Sequence, residues 1–433
     1  MIEVFSKSNK KLYQGNLKFI LVCVAYCLAY FVRDVIGLRF DYFFIYAFAA
    51  FIIFFVSKEE AACFLVGISA FTQAGYDGKF SMLLLLCMLI KFAQHLGKIQ
   101  KYSLFIIFMC AQEIILYFSV GTKGIGSFIT YVFILMVLFF IQQYPSERID
   151  KIKMTNTFIA FSAFFIISIL IKLVVAYGSF SDLIQLGFRS DEYSQILKAE
   201  GLSANANYIT LLSALNICFC TLLVSKGYSK KLYIPLIAFF TFCGLLTISK
   251  MFFAVLFVYI LFVVFMQLRA NLKSGVIAVV GLVAVLIAVY VAFGDTLISM
   301  VIERFMQGNL TTGRTTIVKN LISYMNSHPF SYVTGVGILE VHTILDYAIH
   351  SSVFEILGGW GIIGLMSVVM YVSFAVNNAR LTCKKQRIKI NAYNYLPLGL
   401  LLGYTLTGML FSSAFSVIQL QLCLYAIQIR EKN

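Results

Sequence analysis

Asn156 to Tyr177 reads NTFIAFSAFFIISILIKLVVAY, an apolar run broken by a single charge, Lys172. A helix rises 1.5 Å per residue, so about 20 mostly apolar residues match the hydrocarbon core of a bilayer. The same pattern recurs along the chain. Hydrophobic residues make up 61% of the 433 and charged residues 12%, with a mean hydropathy of +0.90. No water-soluble domain of this length is built from that composition. The expected fold is therefore an all-α polytopic membrane protein, with residues 1–433 forming a single transmembrane domain. Runs at 17–34, 40–57, 60–75, 80–96, 103–120, 125–143, 156–177, 207–225, 232–248, 251–268, 275–293, 350–376, 393–411 and 413–429 predict about 14 transmembrane helices. No small-residue cleavage site follows 17–34, which reads as a retained span rather than a signal peptide.

An even number of spans puts both termini on one side of the membrane. Most of the 34 Lys and Arg residues fall in one set of connections, among them Lys10, Lys11, Lys98, Lys101, Lys230, Lys231, Lys384 and Lys385. Cationic loops stay cytoplasmic, so that set and both termini are expected there. Two long polar interruptions, 178–206 and 294–350, then face the outside or the periplasm. The net charge of +15 is spread over loops that lie next to anionic lipid. It points to a bilayer and not to nucleic acid. All ten cysteines fall in the predicted spans or on the cytoplasmic side, so no disulfide is expected.

The 294–350 loop carries three of the four histidines, His328, His342 and His350. Residues 314–326 predict an amphipathic helix, with Ile317, Val318, Leu321, Ile322 and Met325 on one face. Thr312-Gly313 starts it and sets Arg314 in its first turn. It either lies on the bilayer surface, roofs a cavity, or is a plain spacer. His328-Pro329 ends the helix. Gly335-Val-Gly337 follows, and a second apolar stretch leads from Ile338 to His350 at the mouth of the next span. The histidines lack the i, i+4 spacing of a helical metal site, so no metal is expected.

Ionisable residues within spans are costly and tend to face the bundle interior. Glu113 and Lys172 lie at similar predicted depth and are expected to pair. Lys250 sits in a tight hairpin, where its cation either snorkels to lipid phosphate or meets an anion in a cavity. Arg189 and Arg314 offer guanidinium forks suited to phosphate. A neutral imidazole at His350 can accept a proton near pH 7. Glu355 lies five residues further on, off the same helical face. The glycines after Glu355 permit close helix approach or a local break.

In order, Gly313-Arg314, His328-Pro329-Phe330, Gly335-x-Gly337, His350-Ser-x-x-x-Glu355 and Gly361-Ile-Ile-Gly364 resemble the long external loop of the O-antigen polymerase/O-antigen ligase superfamily (Wzy-type). Arg189 followed by Gly201-Leu-Ser-Ala-Asn205-Ala-Asn207 resembles the earlier loop of that family. Thr247-Ile-Ser249-Lys250 is similar to its Thr-x-Ser-Arg hairpin. The chain departs from the pattern where Ser351 stands for Asn, Ala206 for Pro, Lys250 for Arg and Val318 for Trp. The likeness covers residues 185–376 or so.

The resemblance implies a GT-C-like bundle with one long, partly helical external loop, in a bacterial cytoplasmic (inner) membrane. It implies a glycosyltransferase that polymerises undecaprenyl-pyrophosphate-linked oligosaccharide repeat units into O-antigen or capsular polysaccharide on the outer face. Neither a nucleotide sugar nor a cofactor is implied. Undecaprenyl pyrophosphate is the leaving group, so Arg189, Lys250 and Arg314 are candidates to hold its charge. His350 is the candidate base for the acceptor hydroxyl, and Glu355 is a candidate to orient it or to bind sugar. The lipid-linked oligosaccharides and the bilayer are the expected partners, with a chain-length regulator as a further candidate. Two other readings stay open. A ligase of the same superfamily would move finished glycan to a lipid core. A flippase would hold the same pyrophosphate without reacting, although no internal repeat of the transporter kind is found.

Overall fold

The structure is a computed structural model. It describes the chain apart from residues 1, 39, 72–77, 94–98, 121–124, 145, 181, 184–186, 189–205, 274–275, 277–279, 281–313, 346–348, 350, 407–415 and 433. Regular structure among the described residues is helical throughout. In chain order the α-helices are α1 (Ile2–Asp34), α2 (Tyr42–Phe55), α3 (Lys58–Ile68), α4 (Gly78–Ala93), α5 (Leu104–Val120), α6 (Ile125–Gln143), α7 (Lys151–Tyr177) and α8 (Ala206–Ser225). They continue as α9 (Lys230–Leu246), α10 (Lys250–Ala270), α11 (Arg314–Ser327), α12 (Ser331–Thr334), α13 (Val341–Ile344), α14 (Ser352–Lys385), α15 (Leu396–Tyr404) and α16 (Ser416–Ala426).

Local signals set several boundaries. Ser57 and Glu60 form a reciprocal capping box at the start of α3, with bonds of 3.2 and 3.1 Å. Asp150 caps α7 by accepting from the amides of Ile152 and Lys153. That helix stops at Gly178, whose φ of 86° is the usual left-handed ending.

The expected count of about 14 transmembrane helices, and the GT-C-like bundle of that size, are corrected by the structure. Among the described residues, 5 helices are long and apolar enough to cross a membrane: Lys101–Val120, Lys151–Tyr177, Ala206–Ser225, Lys250–Ala270 and Ser352–Lys385. Phe43–Phe55, Leu83–Ala93, Tyr131–Gln143 and Val417–Ala426 are shorter apolar stretches within α2, α4, α6 and α16. At 14 and 11 residues, α2 and α16 are roughly 16–21 Å long, less than the hydrocarbon thickness. The apolar runs misled because protein burial and lipid contact demand the same side chains. The 60–75 run shows this: α3 is 11 residues long, buried from Ala61 to Ile68, and passes into a 3-10 turn. The 393–411 run begins as a 3-10 turn, Ala392–Tyr395, followed by the nine residues of α15. The 275–293 run lies almost entirely outside the described residues.

Helix α8 runs through the middle of the bundle, buried along nearly its whole length, and packs on α7, α9, α10 and α15. Helix α10 is its opposite, with Phe252 its one buried residue. Helices α8, α10 and α14 all finish among cations: Lys226, Arg269, and Lys384 with Lys385. At that end Lys226 Nζ donates to the Lys389 carbonyl at 2.7 Å.

Candidate functional site

Helix α14 is broken at Gly361, where φ is 64° and ψ −166°. The break comes nine residues in, about 14 Å along the helix from its first residue. It releases backbone carbonyls that a regular helix would bond internally, and buried carbonyls need partners. The loop between α12 and α13 supplies them. Val336 N–H donates to Gly358 O at 3.0 Å and Gly337 N–H to Gly359 O at 2.6 Å. Gln112 of α5 donates its amide to Trp360 O at 2.7 Å and to Thr334 O at 2.9 Å. Only glycine permits this approach. A Cβ at Gly335 would strike the Gly359 carbonyl, and one at Gly361 would strike that of Val333.

Glu113, next to Gln112, fixes the same junction. Its Oε2 accepts from the Trp360 indole N–H at 2.6 Å and from the Ile338 amide at 3.0 Å. Glu113 is 2% exposed and Trp360 0%. The expected pairing of Glu113 with Lys172 is therefore replaced. Lys172 instead donates to the Asp34 carbonyl at 2.8 Å. Similar depth did not make the two residues neighbours, because the helices carrying them pack on different partners: α5 on α6 and α14, α7 on α3 and α8.

Glu355 lies in the first turn of α14 and is fully buried. A carboxylate there is favoured by the unsatisfied amides of the helix start. Its Oε1 lies 3.1 Å from His342 Nε2. The other ring nitrogen, Nδ1, accepts from the Ile349 amide at 3.2 Å. A backbone amide can only donate, so Nδ1 carries no proton in this arrangement. The neutral ring then holds its proton on Nε2 and donates it to Glu355.

A chain of hydrogen bonds joins this helix start to the Lys250 hairpin. Ser352 N–H donates to Thr405 O at 2.8 Å. Its neighbour Tyr404 donates its hydroxyl to Asn207 O at 2.9 Å, at the start of α8. One turn along α8, Thr210 Oγ1 lies 3.0 Å from Thr247 Oγ1 in the hairpin. The Phe188 amide closes on the same hairpin, donating to Leu246 O at 3.0 Å. Ile248 carries a φ of 46°, an uncommon conformation for a β-branched residue that this packing must hold.

The residues proposed from sequence fare differently. Lys250 is the first residue of α10, and its Nζ is shut away from solvent. Arg314 opens α11. That helix buries Leu321 and Met325 against Val336, Val341, Leu345 and Ile349, while Ile322 is 41% exposed. Arg189 and His350 lie outside the described residues. Their chain neighbours Phe188 and Ile349 are described, the first on the Lys250 hairpin and the second on His342. Glu355 is brought to His342, which the sequence did not single out for a role. Gln112, Glu113 and Trp360 were likewise missed as one group. The available signals were the glycine cluster after Glu355 and the second histidine of the polar loop. Among the described residues no group of His, Cys, Asp and Glu is arranged to hold a metal ion.

Residues 235–369 match the family model described as O-antigen ligase. The matched residues include the Lys250 hairpin, α11, His342, Glu355 and the break at Gly361. No curated protein matches the chain.

Proposed function

We propose that this protein, whose residues 235–369 match the O-antigen ligase family model, polymerises undecaprenyl-pyrophosphate-linked oligosaccharide repeat units into O-antigen or capsular polysaccharide. The observation that carries the reading is the hydrogen-bonded chain from the Lys250 hairpin to the Glu355 helix start. It gathers separate parts of the family-matched sequence at one end of the bundle. That end is taken as the outer face, because α8, α10 and α14 finish among cations at the other end, and cationic ends stay cytoplasmic. Both termini are assigned to the cytoplasmic side on the same charge bias.

In this reading the acceptor hydroxyl of one lipid-linked unit attacks the anomeric carbon of another. Its proton passes to His350 as the new C–O bond forms. The bond from the anomeric carbon to the pyrophosphate oxygen breaks, and the electron pair leaves with undecaprenyl pyrophosphate. Arg189, Lys250 and Arg314 offset that growing charge, most effectively in a water-poor site. Glu355 holds a sugar hydroxyl or orients the base.

A deletion strain complemented with wild type or His350→Ala tests this, with surface glycan resolved on a gel. The expected result is a full ladder with wild type and a single capped repeat unit with His350→Ala. A normal ladder from the variant would remove His350 as the base. The family description favours a second reading, ligation of finished glycan to a lipid core. That reading predicts long lipid-linked polymer in the deletion strain and no surface glycan. Repeat units trapped on the cytoplasmic side would instead indicate a flippase.

A further inference from the structure

We infer that His342 is a positioning residue for the transfer reaction, clamping the Glu355 carboxylate and the backbone at Ile349 in one arrangement at the start of α14. The inference rests on the reading of this end as the transfer site. Both ring nitrogens of His342 are engaged. Nδ1 accepts from Ile349 N–H at 3.2 Å, and Nε2 lies 3.1 Å from Glu355 Oε1. The imidazole is thus a rigid spacer between two chain segments that sequence separates from it by 7 and 13 residues. Its side chain is 15% exposed and the Glu355 side chain 0%. This burial argues against a loosely solvated contact.

The imidazole has no nitrogen left for an acceptor proton, which sets its role apart from that of a general base. Two consequences follow from the clamp. The Glu355 carboxylate is turned by a donor of fixed direction, so its remaining oxygen takes a defined orientation. The Ile349 amide fixes where the chain enters α14, one residue before the candidate base. A ring that spans two anchor points is harder to replace than a single hydrogen bond. Glutamine and asparagine each reproduce one half of it. Glutamine reaches far enough to place an amide N–H near the position of Nε2. Asparagine is shorter and places its carbonyl near the position of Nδ1.

The test uses full-length protein purified in detergent and returned to liposomes with a synthetic lipid-pyrophosphate-linked repeat unit. His342→Gln, His342→Asn and His342→Phe are compared with wild type for kcat and KM. Emission of Trp360, the sole tryptophan, serves as the check on folding. The expected order in kcat is wild type, then His342→Gln, then His342→Asn and His342→Phe. The last two should fall about ten- to a hundredfold, the scale for losing a hydrogen bond to a charged group. KM should change little. Equal kcat in all three variants and wild type would overturn the inference while leaving the transfer reading intact. So would a uniform loss in proportion to the folded fraction, because a purely structural residue does not distinguish Gln from Asn. A wild type that forms no product would overturn the transfer reading, and this role with it.

Discussion

Glu113→Leu takes the acceptor away from two buried donors at once. The Trp360 indole N–H, at 2.6 Å, and the Ile338 amide, at 3.0 Å, both end on Glu113 Oε2. Leaving a buried donor without its acceptor costs about 1–3 kcal/mol, so the pair amounts to roughly 2–6 kcal/mol. Removing a buried carboxylate also removes its desolvation penalty, which pulls the net toward the low end of that range. The assay is thermal unfolding of the detergent-purified protein, read together with Trp360 fluorescence. The unfolding midpoint should fall. Emission should move to shorter wavelength, since the indole loses a negative hydrogen-bond acceptor at its pyrrole end while staying buried. Lys172→Met is the control, because Lys172 donates to the Asp34 carbonyl and not to Glu113. It should leave Trp360 emission unchanged. Wild-type stability and emission in Glu113→Leu would refute the assigned clamp. An equal spectral shift in Lys172→Met would refute the separation of the two residues.

Two other substitutions probe the break and the proposed anion site. Gly361→Ala forces a side chain into a φ of 64° against the Val333 carbonyl. The backbone strain alone is about 1–3 kcal/mol, so the yield of monodisperse protein should drop. Gly399→Ala, which meets nothing within 4 Å, should behave as wild type in the same size-exclusion run. Arg314→Lys keeps the charge but loses the two-pronged donor, and its transfer rate should fall at least about tenfold. An unchanged rate would remove Arg314 from the pyrophosphate role.

Local patterns were legible in the sequence and distant partners were not. The amphipathic stretch expected at 314–326 is helix α11, Arg314–Ser327, with Leu321 and Met325 turned inward. Ile322, placed on the same face from periodicity, is largely exposed. The edge of an apolar stripe is set by the neighbouring segment, which periodicity does not contain. The glycines after Glu355 permit a close approach or a break by sequence, and in the structure they provide both. The span count failed because apolar runs such as 60–75 serve a protein interior as well as a bilayer. Gln112 bonds Trp360 across 248 positions and Glu113 bonds it across 247. No spacing rule reaches that far. His342 and Glu355 are only 13 apart, but an irregular chain separates them, so helical spacing could not pair them either.

The most direct measurement of the central claim is reconstitution of the purified protein in liposomes with one synthetic lipid-pyrophosphate-linked repeat unit, products being resolved by mass spectrometry. The account predicts lipid-linked chains of two, three and more repeats, with one lipid pyrophosphate released for each bond formed. Recovery of the repeat unit unchanged, or merely moved to the other leaflet, would contradict it.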